Sequence, residues 1–377
     1  MKIAIIGAGI GGLAAALALA QAGFAVEVYE RAPALVDQGA GITMAPNATR
    51  VLFHLGLESA LLSTAASPEA TEYRHYRTGE VLMRIDHRDS RARYGYPHLR
   101  FHRWDLLEAM ATRLARIAPG ALRVGRKLDG LRFAGRSVVM SFADGQAIPA
   151  DLVVAADGIR SAVRDILFGP TSATFTGFVA WRGLVPTAHL PPALSDSVVS
   201  FGNGRNIVRY PVRRGELVNF VAAARRDSWE AEGWTIPASH GELISEFSEF
   251  DEGTRALLSR PVHGSLFKWG LFGREPLPSW CLRRVALLGD AAHPMLPFVG
   301  QGGAMAIEDA MVLARTLSSE PDPERALARY QNARRPRALA TTERAANQGR
   351  MWDGEPNADN LDERTSAFSY DAVSGPV

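Results

Sequence analysis

The sequence predicts an α/β fold: a Rossmann-like domain with a parallel sheet, interrupted by an inserted, mostly antiparallel β-sheet domain and closed by C-terminal helices. Three observations predict it. The chain opens with a strand, a glycine-rich turn, a helix and a second strand. Two more buried-strand runs, Leu152 to Ala156 and Val285 to Leu288, lie far downstream and far from each other. Between them the texture changes to short alternating runs carrying aromatic residues. A chain of 377 residues is long enough for two such units.

Taken in order, Lys2 to Ile6 (KIAII) is a continuous apolar run of strand type, Leu13 to Ala22 is alanine-rich and helical, and Ala25 to Tyr29 (AVEVY) is β-branched, with Glu30 closing it. Such a βαβ unit requires parallel strands and a right-handed crossover. Leu106 to Ile117 reads as a helix. Ser137 to Phe142 alternates, turns through Ala143-Asp144-Gly145 and resumes at Gln146 as a hairpin. Leu152 to Ala156 (LVVAA) is another buried strand, ending at Asp157-Gly158. In the altered stretch, Asn206 to Tyr210 and Leu217 to Ala222 flank the turn Arg213-Arg214-Gly215. Helices follow over 303–318 and 323–346. Residues 1–174 and 272–348 are therefore expected to form one domain sharing one sheet, with 175–271 inserted as a second domain and 349–377 an irregular polar tail.

Lysine plus arginine number 42 and aspartate plus glutamate 40, a net charge of +2, which gives no reason to expect nucleic acid or an anionic membrane as partner. Arginines do cluster in HRDSRARYGYPHLRFHR (His87 to Arg103), where a solvated face and a phosphate-bearing ligand are competing readings. The single cysteine, Cys281, forbids an intrachain disulfide and fits a reducing, cytoplasmic setting. The N-terminal apolar run resembles a signal peptide, but the strand–helix reading explains its glycines, so export is not expected. No apolar run reaches the roughly 18 residues of a membrane span. No H-E-x-x-H, C-x-x-C or Cys/His cluster implies a metal, and no G-x-S-x-G elbow appears.

Gly7-Ala8-Gly9-Ile10-Gly11-Gly12 satisfies G-x-G-x-x-G at Gly7, Gly9 and Gly12. The first glycine permits a tight turn, the second lets a pyrophosphate approach the backbone, and the third lets helix pack on strand. The motif follows a strand and opens a helix, and Glu30 stands at the end of the next strand to accept ribose hydroxyls. A bound adenine dinucleotide is the reading. A carboxylate at Glu30 disfavours a 2′-phosphate, leaving NAD and FAD open at this point. Further on, Glu30-Arg31-Ala32 leads into the glycine turn Gly39-Ala40-Gly41-Ile42, Arg103 precedes a helix, and the two later strands deliver Asp157-Gly158 and Gly289-Asp290.

This combination resembles the single-component, FAD-dependent aromatic hydroxylases, the flavoprotein group of salicylate hydroxylase and 6-hydroxynicotinate 3-monooxygenase. Three motifs carry the resemblance: GAGIGG with Glu30, ADGIRSAVR, and LLGDAAHPMLPFVGQGGAMAIEDA. Trp352 and Tyr370-Asp371 in the tail resemble the salicylate-hydroxylase branch. The resemblance implies a Rossmann-like FAD-binding domain and an inserted substrate domain. It implies that Gly7, Gly9, Gly12, Glu30, Arg31, Gly41, Arg103, Asp157, Gly158, Asp290, Gly300 and Gly302 hold FAD. Asp290 would bond the ribityl chain. The helix after Gly302 would aim its N-terminus at the pyrimidine edge of the flavin, where reduced flavin is negative. NADH or NADPH would serve as co-substrate, without a second tight nucleotide site. Dioxygen would react through a flavin C4a-hydroperoxide to hydroxylate a small aromatic or heteroaromatic ring, phenolic or carboxylated.

For that ring the expected contacts are Thr43, Arg182, Tyr210, Pro297 and Phe298, with Tyr210, His293 and Pro297 as catalytic residues. Tyr210 is preferred to Arg209 because adjacent strand residues face opposite ways; a sheet-packing tyrosine is the competing reading. His293 is expected to relay a proton, against the alternative of a loop histidine satisfied by backbone. Several relatives carry a histidine where this chain has Thr43, which argues against 6-hydroxynicotinate itself as substrate. A monomer or homodimer is expected. Two other readings stay open: a flavin monooxygenase for a larger polyketide- or polyene-like substrate, and a flavin-bound regulatory protein without enzymatic activity.

Overall fold

A computed structural model describes residues 1–37, 39–229, 236–262, 264–354 and 365–377. The first unit is β1 (Lys2–Ile6), α1 (Ile10–Gln21) and β2 (Ala25–Tyr29), with β1 parallel to β2. β3 (Gly41–Met44) follows, then α2 (Pro46–His54) and α3 (Glu58–Thr64). β4 (Ala70–His75) and β5 (Val81–Asp86) pair antiparallel, and α4 (Ser90–Tyr94) leads to β6 (Leu99–His102) and α5 (Arg103–Ile117). β7 (Leu122–Arg123) precedes a meander of β8 (Leu128–Ala134), β9 (Ser137–Phe142) and β10 (Ala147–Ala150). β11 (Leu152–Ala155) and α6 (Ala162–Phe168) complete the first half.

The second half starts with β12 (Thr174–Pro186), β13 (Val198–Gly202), β14 (Arg205–Val212), β15 (Leu217–Arg225) and β16 (Ile236–Pro237). Short helices α7 (His240–Glu246) and α8 (Glu252–Leu258) cover one face of that sheet, and β17 (Phe267–Gly273) closes it. The chain then returns through β18 (Cys281–Leu282) and β19 (Val285–Leu287) to the long helices α9 (Gly302–Ser319) and α10 (Pro323–Met351).

The first sheet has the order β18-β19-β11-β1-β2-β7, so strands from both ends of the chain lie side by side. β1, β11 and β19 read as unbroken apolar runs because both faces are covered, as a parallel sheet requires. α1 is buried on nearly every side from Ile10 to Leu19, and its alanines let α5 and α9 approach closely. The second sheet runs β16-β17-β12-β15-β14-β13-β4-β5 and is antiparallel except where β13 pairs with β4. Its β4 and β5 come from residues 70–86, outside the expected 175–271 insertion. Alternate side chains of β12 split between its faces: Trp181 and Val185 pack under α7 and α8, whereas Phe178, Ala180 and Arg182 face the first domain.

Helix α10 continues to Met351, past the expected end at 346, and Trp352 beyond it is 1% exposed against Phe201 and Phe298. The last described segment is also docked: Arg337 and Arg334 stack on Tyr370, and Arg50 pairs with Asp371 at 3.0 Å. Phe368 there lies against His98, whose ring stacks on His87 at 4.0 Å. Burial and the nearby Arg100 charge lower the His87 pKa to about 4, and His98 is pushed down further by burial. Both must stay neutral in the folded state, so unfolded chains take up protons first as the pH falls below 6.5. Stability is therefore full above that value and lost between it and 4, by about 3 kcal/mol for His87 alone. Thermal unfolding at several pH values checks this; a His87→Gln variant should show a shallower acid limb than the parent.

Candidate active site

The three motif glycines are required for different reasons. Gly7 has φ +99°, and a Cβ there would lie 2.5 Å from the Ala156 carbonyl oxygen. A Cβ on Gly12 would lie 1.9 Å from the Gly7 carbonyl oxygen. Neither position admits a side chain, with or without a ligand. Gly9 is different, since a Cβ there would meet nothing within 4 Å. Its missing side chain leaves a cradle at the head of α1, which carries no acidic residue in its first turn and no side-chain cap. Free N–H groups and the helix dipole make that cradle suited to a pyrophosphate. Glu30 spans the turn, accepting the Ala8 N–H at 2.9 Å and the Ala32 N–H at 2.8 Å. Its two oxygens keep lone pairs for ribose hydroxyls. Arg31 is exposed.

The motifs that follow surround one cleft. The Arg103 N–H donates to the Ala40 carbonyl at 2.7 Å, tying the start of α5 to the glycine turn before β3. Burial lowers the Arg103 pKa, and Asp290 works against that shift. Asp290 is open to solvent by surface area, yet protein mass around it is dense enough to raise its carboxyl, with His293 and Arg103 opposing. A side chain on the floor of a cleft meets both descriptions. Asp157 accepts the Val163 N–H at 3.3 Å through Oδ2, while its buried Oδ1 has no partner. Gly158 has φ +80° and open space where a Cβ would stand.

The rigid turn between β19 and α9 closes the cleft. It contains two short 3₁₀ turns, Gly289–Ala291 and Pro297–Val299, and Gly300 adopts φ +64° with nothing within 4 Å of its Cβ position. At Gly302 a Cβ would meet only Met295 at 3.7 Å, an ordinary contact, so packing does not require glycine there. Gly303, which the motif reading passed over, packs more tightly: a Cβ would lie 3.0 Å from the Ile42 side chain and 3.1 Å from the Met44 side chain. On the other side of β3, Gly41 donates its N–H to Asn219 at 2.7 Å, and a Cβ on it would strike Asn219 and Tyr210. β3 is thus sandwiched between the head of α9 and the second sheet. The open glycine cradle, the unpartnered Asp157 oxygen and the uncapped amides of α9 fit FAD.

His293 is held by a side chain rather than by backbone. Its side chain is 2% exposed, Nε2 is 2.6 Å from Asp309 Oδ2, and Trp280 lies over the ring at 4.9 Å. Asp309 also takes Arg334 at 2.7 Å, and Arg334 pairs with Glu308, which binds Arg337 and Asn47. The network thus fixes the ring through Nε2 and holds it under the loop, while its buried Nδ1 has no partner. Phe298 is likewise spent on packing, against Phe178 at 5.0 Å and Trp352 at 6.3 Å, while Pro297 is exposed on the loop.

Tyr210 and Arg209 do face opposite ways. Arg209 points to Thr254 and the Ala193 carbonyl on the helical side; Tyr210 meets Gly41, with the Thr43 side chain close to its hydroxyl. Burial pushes the Tyr210 pKa up to about 12, so this phenol is a hydrogen-bonding group rather than a base. Arg182 is 7% exposed, and its Nε and Nη2 have no hydrogen-bond partner. It lies over the rings of Trp269 (5.4 Å) and Phe267 (5.6 Å). Burial lowers its pKa to about 10, Arg103 adding to the shift and Asp37 opposing it. An unpaired buried cation costs several kcal/mol, more than the roughly 0.5–2 kcal/mol of a cation–π contact returns. Two further residues lie at this face: Asn219, which carried no signal in the sequence, and Arg100, one of the arginines in the His87-to-Arg103 cluster.

A two-domain α/β protein with a dinucleotide cradle opening onto a covered aromatic and cationic sheet face belongs to the flavoprotein class. The family described as FAD binding domain matches residues 1–345, and the chain belongs to it. It is 36% identical over 388 residues to a 3-amino-4-hydroxybenzoate 2-monooxygenase of Streptomyces platensis, covering 99% of this chain and 96% of the relative. It is 36% identical to 6-hydroxynicotinate 3-monooxygenase of Pseudomonas fluorescens, covering 100% and 96%. Among solved structures, Klebsiella pneumoniae HpxO complexed with FAD and uric acid superposes with a TM-score of 0.86 at 27% identity, covering 98% and 93%. No helix among the described residues is long and apolar enough to cross a membrane.

Proposed function

We propose that the chain is an FAD-dependent monooxygenase that consumes NADH or NADPH and dioxygen to hydroxylate a small carboxylated or phenolic aromatic ring. One observation carries the reading: β3 packs on the head of α9 at Gly303 and on Tyr210 at Gly41, so cofactor cradle and ring-binding face share one strand. Gly7, Gly9 and Gly12 with the head of α1 hold the pyrophosphate, and Glu30 accepts ribose hydroxyls. Asp290 takes ribityl hydroxyls, and Gly300 and Gly302 let the amides of α9 reach the flavin edge. Bound FAD supplies hydride acceptance and oxygen activation. The protein supplies position and dryness. Arg182 holds the ring carboxylate, Tyr210 and Thr43 orient it, Pro297 stiffens the loop, and the apolar wall of Leu184, Tyr210 and Val212 excludes water. The carboxylated relatives support this reading over a long polyene or polyketide.

The assembly that goes with this reading is a monomer or a homodimer. A reducing, cytoplasmic setting suits Cys281, whose thiol burial pushes up to about 12. The test is NADH and NADPH oxidation by FAD-loaded protein against hydroxylated benzoates, pyridines and quinolines. One ring should stimulate oxidation strongly with a hydroxylated product; stimulation by none would remove the reading. Tyr210→Phe should raise KM for that ring about tenfold, one hydrogen bond of about 1.4 kcal/mol, at unchanged FAD content. Unchanged KM and turnover would return Tyr210 to sheet packing.

A further inference from the structure

The turn between β14 and β15 is built from residues that its backbone does not favour. Arg213 has φ +49° and Arg214 φ +56°, followed by Gly215 at +92°. Among the described residues only Asn203, Arg213, Arg214 and Arg283 adopt a positive φ without being glycine, so two of the four stand side by side here. A hairpin that needs this backbone is ordinarily made with Asn, Asp or Gly. Strain kept by poorly suited residues is expected where their side chains have a task. For Arg213 the task is visible: Nε and Nη2 donate to the Asp105 carboxylate at 3.1 and 3.0 Å, tying the turn to α5. Arg214 is exposed and has no hydrogen-bond or ion-pair partner among the described residues.

Arg214 lines a cavity of about 600 Å³ between α3, α5 and this turn. The cavity is distinct from the cofactor cradle, since neither the motif glycines nor Asp157 nor Asp290 line it. Trp104, Glu108, Thr112 and Arg116 line it from α5 at intervals of four residues, one stripe about 18 Å long. Its Trp104 end adjoins the cofactor cleft, because Arg103 just before it donates its N–H to the Ala40 carbonyl of the glycine turn. Glu108 and Glu216 stand in the same walls as Arg116 and Arg214. Mixed signs do not suit a bare anion. They suit a ligand with phosphates for the guanidinium groups, sugar hydroxyls for the carboxylates and a flat base to stack on an indole. All four charged side chains are exposed, so a ligand held there can leave after each turnover.

We propose that this stripe of α5 and the Arg214 turn form the docking groove for the reduced nicotinamide dinucleotide, with a base ring stacked on Trp104 and the phosphates held by Arg214 and Arg116. This rests on the monooxygenase reading and gives its reductant a site. A dinucleotide laid along α5 has one end at Trp104, beside the cofactor cleft, and the other towards Arg116. The Arg213–Asp105 pair holds the turn in place. The groove binds and orients the nucleotide, and none of its residues exchanges a proton or an electron with it.

The experiment titrates the FAD-loaded protein calorimetrically with ADP-ribose, which carries adenine, pyrophosphate and ribose but no hydride, and measures KM for NADH and NADPH in ring-stimulated oxidation. ADP-ribose should bind and compete with the reduced nucleotide but not with the ring. Arg214→Gln should weaken ADP-ribose and raise the nucleotide KM about tenfold each, with FAD content and ring affinity within about twofold of the parent. Trp104→Ala should do the same, and Trp104→Phe should recover most of the loss. Arg214→Gly should melt about 2 °C higher than the parent while binding as poorly as Arg214→Gln, which separates lost binding from lost folding. Unchanged ADP-ribose affinity in Arg214→Gln and Trp104→Ala, competition of ADP-ribose with the ring, or pyrophosphate alone binding as tightly as ADP-ribose would overturn the proposal. Ring hydroxylation with a nucleotide KM that neither variant moves would overturn it and leave the monooxygenase reading standing. Loss of ADP-ribose binding in both variants, with no ring hydroxylated by the parent, would uphold the groove and remove that reading.

Discussion

Gly9→Ala and Gly12→Ala should behave as different kinds of protein, although both alter one motif. At Gly12 the new methyl must displace the Gly7 carbonyl, 1.9 Å from its position, or push α1 off β1. Overpacking on that scale costs at least about 3 kcal/mol, because backbone cannot swing aside as a flexible side chain can. The variant should give little folded protein at all. At Gly9 the methyl meets no protein atom, so the apoprotein should melt close to the parent. It does enter the space a pyrophosphate would take at the head of α1, so FAD affinity should fall by about 100-fold, near 3 kcal/mol. Melting curves of apoprotein and flavin titration measure the two effects separately. A Gly9→Ala protein with full flavin content would remove the pyrophosphate from this turn.

Asp309→Ala should be the most damaging substitution away from the cofactor. Although burial works the other way, His293 and Arg334 hold the Asp309 carboxyl down to about 2. Arg334 is 0% exposed, and without Asp309 its one remaining carboxylate is Glu308, already shared with Arg337 and Asn47. Breaking a buried pair by removing one partner costs about 3–5 kcal/mol. His293 would lose its bond as well, and the Gly289 N–H its acceptor at 3.1 Å. The loop carrying Asp290 would loosen at both points, so FAD affinity should fall alongside a melting temperature lowered by roughly 5 °C. A His293→Phe variant that keeps FAD and turnover would confirm the packing role; loss of turnover at full FAD content would restore the relay.

What could be read from the sequence depended on how each element meets solvent. The runs at β1, β11 and β19 are apolar throughout because both faces are covered, and so they were legible as one parallel sheet despite their separation. β4 and β5 read ATEYRH and VLMRID, half-exposed strands with charges, and nothing local says that β4 pairs with β13 more than a hundred residues later. The glycine motifs were legible because backbone geometry admits no substitute at Gly7 and Gly12. The sheet face was not: Arg100 sits in a run that looks solvated, and composition alone assigns arginines to the surface. Glu308-Asp309 likewise reads as the wet side of a helix and is fully buried. The surroundings of His293 were hidden for the same reason. Its position in the loop was correct, but which way the ring turned depended on an acid on the next helix.

The central claim, that the cradle and the sheet face together oxygenate an aromatic ring, has one most direct measurement. FAD-loaded protein is supplied with NADH or NADPH, the ring that most stimulates its oxidation, and isotopically heavy dioxygen, and the product is weighed by mass spectrometry. The account predicts a product carrying one heavy oxygen atom on the ring, formed in near-equal amount to the reduced nucleotide consumed. A product with its new oxygen from water, or an unchanged ring with all reducing equivalents recovered as peroxide, would contradict it.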